Sequence, residues 1–388
     1  MAMEVWQSVQ ETFWSRHFWL PNNVTWKAFE DTDIFLPRPR DLWVPFPLAI
    51  ALFVLRLLWE RFIAQPIGKW YKLSERPPRK PVHNEVLEEA FKKHKKRLPD
   101  HKILQGYSKQ TDWTTRQIER WWRLRRVVNK PSEMQRFRET SWRFLFYVGA
   151  FWYGFFVLYQ KSWFWDTKHC WYGWPRHDVT PEIYWYYMVE LGFYWSLVIS
   201  VIIDNKRKDF LEMIVHHIAT ISLMMFSWSN NMVRVGTLVL CVHDAVDYWM
   251  EGAKMANYLK YGKLCDALFV IFTVVWFITR IVIFPLRILH CTLNEGHHML
   301  GICPIYYLYN VLLITLQVLH IIWFISILRM VHQYVVKGKV EKDERSETSP
   351  ESDSEDEKIC EKSGVKQRQN GVVNGDHPNN NVQAKKKK

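Results

Sequence analysis

Apolar residues in this chain fall into long runs, not the one-sided stripes of a water-soluble helix. A bilayer core takes about 20 apolar residues per helix. Seven stretches meet that length: residues 45–64, 141–160, 182–203, 210–228, 232–255, 265–289 and 305–335. The first carries Arg56 and Glu60 near its inner end, and the fifth is the least apolar. Two charged regions, residues 66–140 and 337–388, separate and follow the runs. The pattern predicts an all-α integral membrane protein with about seven transmembrane helices.

The composition agrees. The 388 residues are 48% hydrophobic and include 22 tryptophans, a residue that collects where hydrocarbon meets headgroups. A net charge of +13 fits nucleic acid, an anionic membrane face or an anionic substrate, without choosing among them. Lys and Arg placement sets the orientation. Residues 66–140 hold 20 Lys/Arg against 9 Asp/Glu. The third and fourth runs are joined through Lys206, Arg207 and Lys208, and the fifth and sixth through Lys260 and Lys263. The Ser229-Asn230-Asn231 turn and the connection from His290 to Pro304 carry no Lys or Arg. Seven spans put every basic connection on one side, which predicts a lumenal N-terminus and a cytosolic C-terminus.

That orientation places other features. No continuous apolar signal sequence occurs in the first 20 residues. Asn23-Val24-Thr25 is a glycosylation sequon on the lumenal side. Of six cysteines, none forms a CxxC or a zinc spacing. Cys291 and Cys303 share one lumenal connection and are expected to pair there. Residues 340–388 read as a disordered cytosolic tail by composition. Within it Ser346, Ser349, Ser352 and Ser354 belong to a Ser-acidic run suited to acid-directed kinases. The terminal lysines 385–388 resemble a retrieval signal for the endoplasmic reticulum.

The chemistry concentrates in the fourth and fifth runs. His216 lies about 14 residues before the Ser-Asn-Asn turn and Asp244 about 14 after it, each about 20 Å away at 1.5 Å per residue. An antiparallel hairpin brings His216-His217 and Asp244/Asp247 to one depth, nearer the cytosolic face. Asp244 and Asp247 share a helix face; His217 is rotated about 100° from His216, so both face inward only around a broad cavity. Ionisable groups at such depth are costly and mark function. Three chemistries fit: His/Asp metal binding, acid–base catalysis, and nucleophilic attack by imidazole. Met213-Ile214-Val215 precedes the histidine pair, so the HxxHH box of membrane di-iron oxygenases is absent, and no metal or other cofactor is expected. Glu190, Arg280, Asn310, Gln317 and His320 are further polar residues inside the runs.

The string 204–210, His216-His217, Asn230-Asn231 and His243-Asp244-Ala245-Val246-Asp247 resembles the signature motif of the ceramide synthases, members of the membrane-embedded TLC family. Residues 131–339 resemble a whole six-helix TLC domain, a bundle around an intramembrane cavity. The resemblance implies transfer of a fatty acyl group from acyl-CoA to a sphingoid base in the endoplasmic reticulum membrane, with homo- or heterodimers. It implies His216, His217, Asp244 and Asp247 as catalytic residues. Lys206, Arg207, Lys208, Asn310 and Gln317 are the candidate substrate contacts. It further implies that the loop at residues 290–300 affects acyl-chain length. Trp113 to Arg126 resembles the third helix of a homeodomain, but Leu124 stands where the adenine-reading asparagine belongs. The stretch from Asn84 to Gly106 looks too short for two full helices and an arm. Sequence-specific DNA binding is therefore not expected, and a basic platform beside the membrane is. Rival readings are a non-enzymatic TLC protein that assists translocation or lipid distribution, and a DNA-binding regulator.

Overall fold

In the computed structural model the described residues are 11, 15–22, 24–30, 33–75, 80–94, 98–128, 131–203, 210–300 and 303–337. Among them the regular structure is helical throughout. The first long helix, α1 (Pro45–Trp59), starts with two prolines in its first turn, where a missing N–H costs nothing. It runs on through a π-helical turn, Glu60–Ala64, to Trp70. Glu60 there is buried but paired with Arg56 at 2.7 Å and Arg138 at 3.5 Å. Its apolar residues, Ile50, Phe53, Val54, Leu55 and Leu58 among them, point outward, as on a helix solvated by lipid.

Three short helices follow: α2 (Glu85–Lys93), α3 (His101–Thr111) and α4 (Thr115–Val127). The expectation that this region lacks room for two helices ahead of the third is overturned. The second helix extends five residues past Gly106, to Thr111. Asn84 caps α2 through the Leu87 amide, and Thr114 with Gln117 forms a capping box on α4. Elements this short owe their stability to packing. Leu87, Phe91, Leu104, Ile118, Trp121 and Trp122 supply it in one small core.

The remaining helices are α5 (Glu133–Tyr159), α6 (Pro181–Ile203), α7 (Phe210–Ser229), α8 (Val233–Tyr258), α9 (Gly262–Trp276) and α10 (Pro304–Lys337). Each touches the next in a closed order, α5–α6–α7–α10–α9–α8 and back to α5, α10 meeting the continuation of α9 at Phe277–Leu289, with α7 and α8 also in contact and α1 docked outside on α6. Four helical stretches among the described residues are long and apolar enough to cross a membrane: Pro39–Trp70, Phe210–Ser229, Gly262–Met299 and Pro304–Val336. The chain is thus a multi-pass membrane protein by length and composition. Helices α5 and α8 fall short in apolarity, not in length: α5 is rich in Trp and Tyr, and α8 carries the ionisable cluster.

The sixth apolar run does not end at Leu289. Its helix continues as a wide π-helical stretch, Phe277–Leu289, and then through Cys291–Glu295 and Gly296–Leu300. The predicted loop at residues 290–300 is therefore mostly helix. This separates the two cysteines expected to pair. Cys291 stays on the helix and turns into the main core, whereas Cys303 packs under the N-terminal segment with its thiol at 3.9 Å from the Trp19 carbonyl. Both are free thiols in this structure.

Candidate active site

The α7–α8 hairpin positions the site, and its turn is held from outside. Asn231 adopts a left-handed backbone, φ 55°, which asparagine tolerates. Its side-chain amide donates to the carbonyls of Pro175 and His177 at 2.7 and 2.8 Å. Asn230 accepts from the Tyr309 hydroxyl at 2.8 Å, and its carbonyl accepts from the Trp174 indole at 3.0 Å. The turn is thereby fixed to the α5–α6 connection and to α10.

Down the hairpin, His216 and His217 both face inward, toward different neighbours. The His216 ring lies 5.4 Å from Trp323 of α10 and 6.3 Å from His243, while His217 is 6.4 Å from Tyr194 of α6. The helix itself sets two tautomers. Nδ1 of His217 lies 2.6 Å from the Met213 carbonyl, and Nδ1 of His243 lies 2.7 Å from the Val239 carbonyl. Each Nδ1 must carry the proton to donate, which leaves each Nε2 as the basic nitrogen. His216 differs, because its Nδ1 is buried without a hydrogen-bond partner.

The aspartates come to the same region but bind other groups. Asp244, fully buried, accepts from the Tyr186 hydroxyl at 3.4 Å and lies within hydrogen-bonding reach of Glu190. Asp247 pairs with Arg280 of the π-helical stretch at 3.6 Å. That guanidinium also donates to the His243 carbonyl at 2.7 Å, contacts His320 at 3.1 Å and stacks over Trp276. His320 in turn meets His243, Nε2 to Nε2, at 3.1 Å. Buried charges persist when paired and hydrogen-bonded in this way.

The TLC domain model matches residues 136–329, the segment that contains all of these groups. Ceramide synthase 5 of Homo sapiens is 46% identical over 352 residues, 90% of each chain. Ceramide synthase 4 of Homo sapiens is 43% identical over 374 residues, 96% of this chain and 94% of that one. This chain belongs to the ceramide synthase family. Ceramide synthase 3 of Homo sapiens, 39% identical over 385 residues, aligns along 95% of this chain and 98% of its own. The recognition drawn from the histidine and aspartate motif is correct, and the enzyme class expected from it, sphingoid-base N-acyltransferase, is the one this family carries.

In this ceramide synthase an apolar cavity adjoins the cluster. It runs from His243 along Val239, Leu240, Leu313 and Leu316 to Trp171, Pro21 and Thr292 near the hairpin turn. Tyr187 and Ser227 on its wall are hydrogen-bonded to each other. Of the other predicted substrate contacts, Asn310 lines the cavity with its Oδ1 unpartnered, whereas Gln317 is not part of the lining. Lys206, Arg207 and Lys208, the sequon residue Asn23, and Ser346, Ser349, Ser352 and Ser354 lie outside the described residues. Sequence reasoning missed Tyr186, Tyr194 and Trp323. Tyr186, Glu190 and Tyr194 recur every four residues on α6, a polar stripe that marks an inward face.

Proposed function

We propose that the protein is a seven-span enzyme of the endoplasmic reticulum membrane, with a lumenal N-terminus and a cytosolic C-terminus. It makes ceramide through an acyl-histidine intermediate. The acyl chain of acyl-CoA lies in the cavity beside His243. His216 attacks the thioester carbonyl through a ring nitrogen, the carbon–sulfur bond breaks, and CoA leaves as the thiol after taking up the imidazole proton. The sphingoid amine then attacks the acyl-imidazole carbonyl. The carbon–nitrogen bond to His216 breaks and the amide forms, while the amine's proton passes through the neighbouring His217 or the Asp244–Glu190 pair to the released ring nitrogen, which restores neutral His216.

The observation that carries the assignment is the environment of His216. The two adjacent imidazoles have Nδ1 engaged with backbone carbonyls, while Nδ1 of His216 has no hydrogen-bond partner. Asp247 acts through Arg280 in this arrangement, as a positioning residue for His243 and His320. Incubation with acyl-CoA alone, followed by intact-mass measurement, should show one added acyl group on wild type and none on His216→Ala. An active preparation without an adduct would remove the covalent route. His216→Ala and Asp244→Ala should each abolish ceramide formation while the protein still folds.

A further inference from the structure

Two thiols that the chemistry above does not use meet at the turn end of the cavity. Cys170 closes the 3₁₀ turn Thr167–Cys170, in which first and fourth residues stand on one face. Cys291 opens the π-helical turn Cys291–Glu295. Its thiol points at the Thr167 carbonyl, 3.8 Å away on the turn that ends at Cys170, and both thiols are free in this structure. Thr167 Oγ1 donates to Glu295 at 3.0 Å, so the same two turns are fastened a second time. Both cysteines are buried in the main core. Their following residues, Trp171 and Thr292, line the cavity.

We propose that Cys170 and Cys291 are joined by a disulfide that fixes this end of the cavity. The inference rests on the orientation proposed above, which puts both turns on the lumenal side, where disulfides persist. A disulfide carried by a lumenal oxidoreductase accepts the two electrons: its sulfur–sulfur bond breaks to two thiols as the Cys170–Cys291 bond forms, and the two protons move with them. The exchange takes place during folding, before both sulfurs are enclosed. Once enclosed, the bond is shielded from reducing thiolates, and Trp171 and Thr292 are held at a fixed separation across the cavity end.

The test traps thiols in microsomes that contain the full chain. Membranes are dissolved in SDS with light N-ethylmaleimide, so that burial is not mistaken for bonding, then reduced and treated with heavy N-ethylmaleimide. Trypsin separates Cys170 on residues 169–176 from Cys291 on residues 288–329. Heavy label is expected on both cysteines, and a single cross-linked mass without reduction. Residues 288–329 also contain Cys303, so Cys303→Ala should retain the cross-link. Cys170→Ser should turn the label on Cys291 from heavy to light. Light label on both wild-type cysteines, or a Cys291 still protected in Cys170→Ser, would overturn the proposal. A glycosidase mass shift at Asn23 in the same sample separates the two readings. A shift with light-labelled thiols overturns the disulfide alone; no shift with light-labelled thiols overturns the orientation as well.

Discussion

Replacing Arg280 by methionine keeps an unbranched apolar stem and removes the guanidinium and its charge. The loss strands three groups: Asp247 at 3.6 Å, the His243 carbonyl at 2.7 Å and His320 at 3.1 Å. Removing one partner of a buried ion pair costs about 3–5 kcal/mol. The Asp247 side chain is 19% exposed and its contact is long, so the lower end, about 3 kcal/mol, applies here. The same loss frees His243 and His320 to turn, and a misplaced group at a reacting centre costs about 100-fold in rate. Two measurements separate these effects. The first is ceramide formation per folded molecule in detergent. The second is the temperature at which half the protein is lost as a monodisperse species. Arg280→Met should fall in both. Asp247→Asn combined with Arg280→Met should recover about 1–3 kcal/mol relative to the sum of the single losses, because the stranded charge is gone. Activity should stay low in the double variant. Strictly additive stability losses, or near wild-type activity in Arg280→Met, would refute the network as drawn.

Three further perturbations test other parts of the structure. A Cβ added at Gly154 of α5 would press into the ring of Tyr186 at about its hydroxyl. Gly154→Ala should therefore cost about 1–3 kcal/mol and lower turnover by displacing the donor to Asp244, whereas Gly149→Ala, where the space is open, should do neither. At Gly236 the added carbon would collide with the Tyr187 hydroxyl on the cavity wall, so Gly236→Ala should shift the acyl-chain lengths accepted, read by lipid mass spectrometry on mixed acyl-CoAs. Burial, with Arg234 nearby, lowers the pKa of His177 from 6.5 to about 4. The folded form therefore stays neutral while the unfolded chain takes a proton, so stability is full above pH 6.5 and declines as pH falls toward 4. The loss across that window is at most about 3 kcal/mol. His177→Gln should flatten the acid limb of a stability profile, and an unchanged slope would remove His177 as its cause.

What could be read ahead of the structure divides along a physical line. The depth of the histidine and aspartate groups depends only on residue counts from a turn, because helix rise is constant. His216 and Asp244 could therefore be placed at one level from the Ser-Asn-Asn turn alone. Which helix faces which is a property of the closed ring, and no count along the chain supplies it. Residue counts alone therefore set the aspartates beside the histidines, while the structure gives Asp247 to Arg280 and Asp244 to Tyr186 and Glu190. The cysteines fail in the same way. Cys291 and Cys303 are neighbours in sequence, and a loop between them would bring them together. The helix instead runs on in a wide π form, carries Cys291 into the main core and delivers it to Cys170, 121 residues back. Arg280, near the middle of an apolar run, was the one sign of this register. An arginine at that depth needs a carboxylate or several acceptors, and the α8 cluster is the place that offers both. A buried cation is a claim on a specific partner, not an isolated oddity, and Arg280 so read places the Phe277–Leu289 stretch against α8.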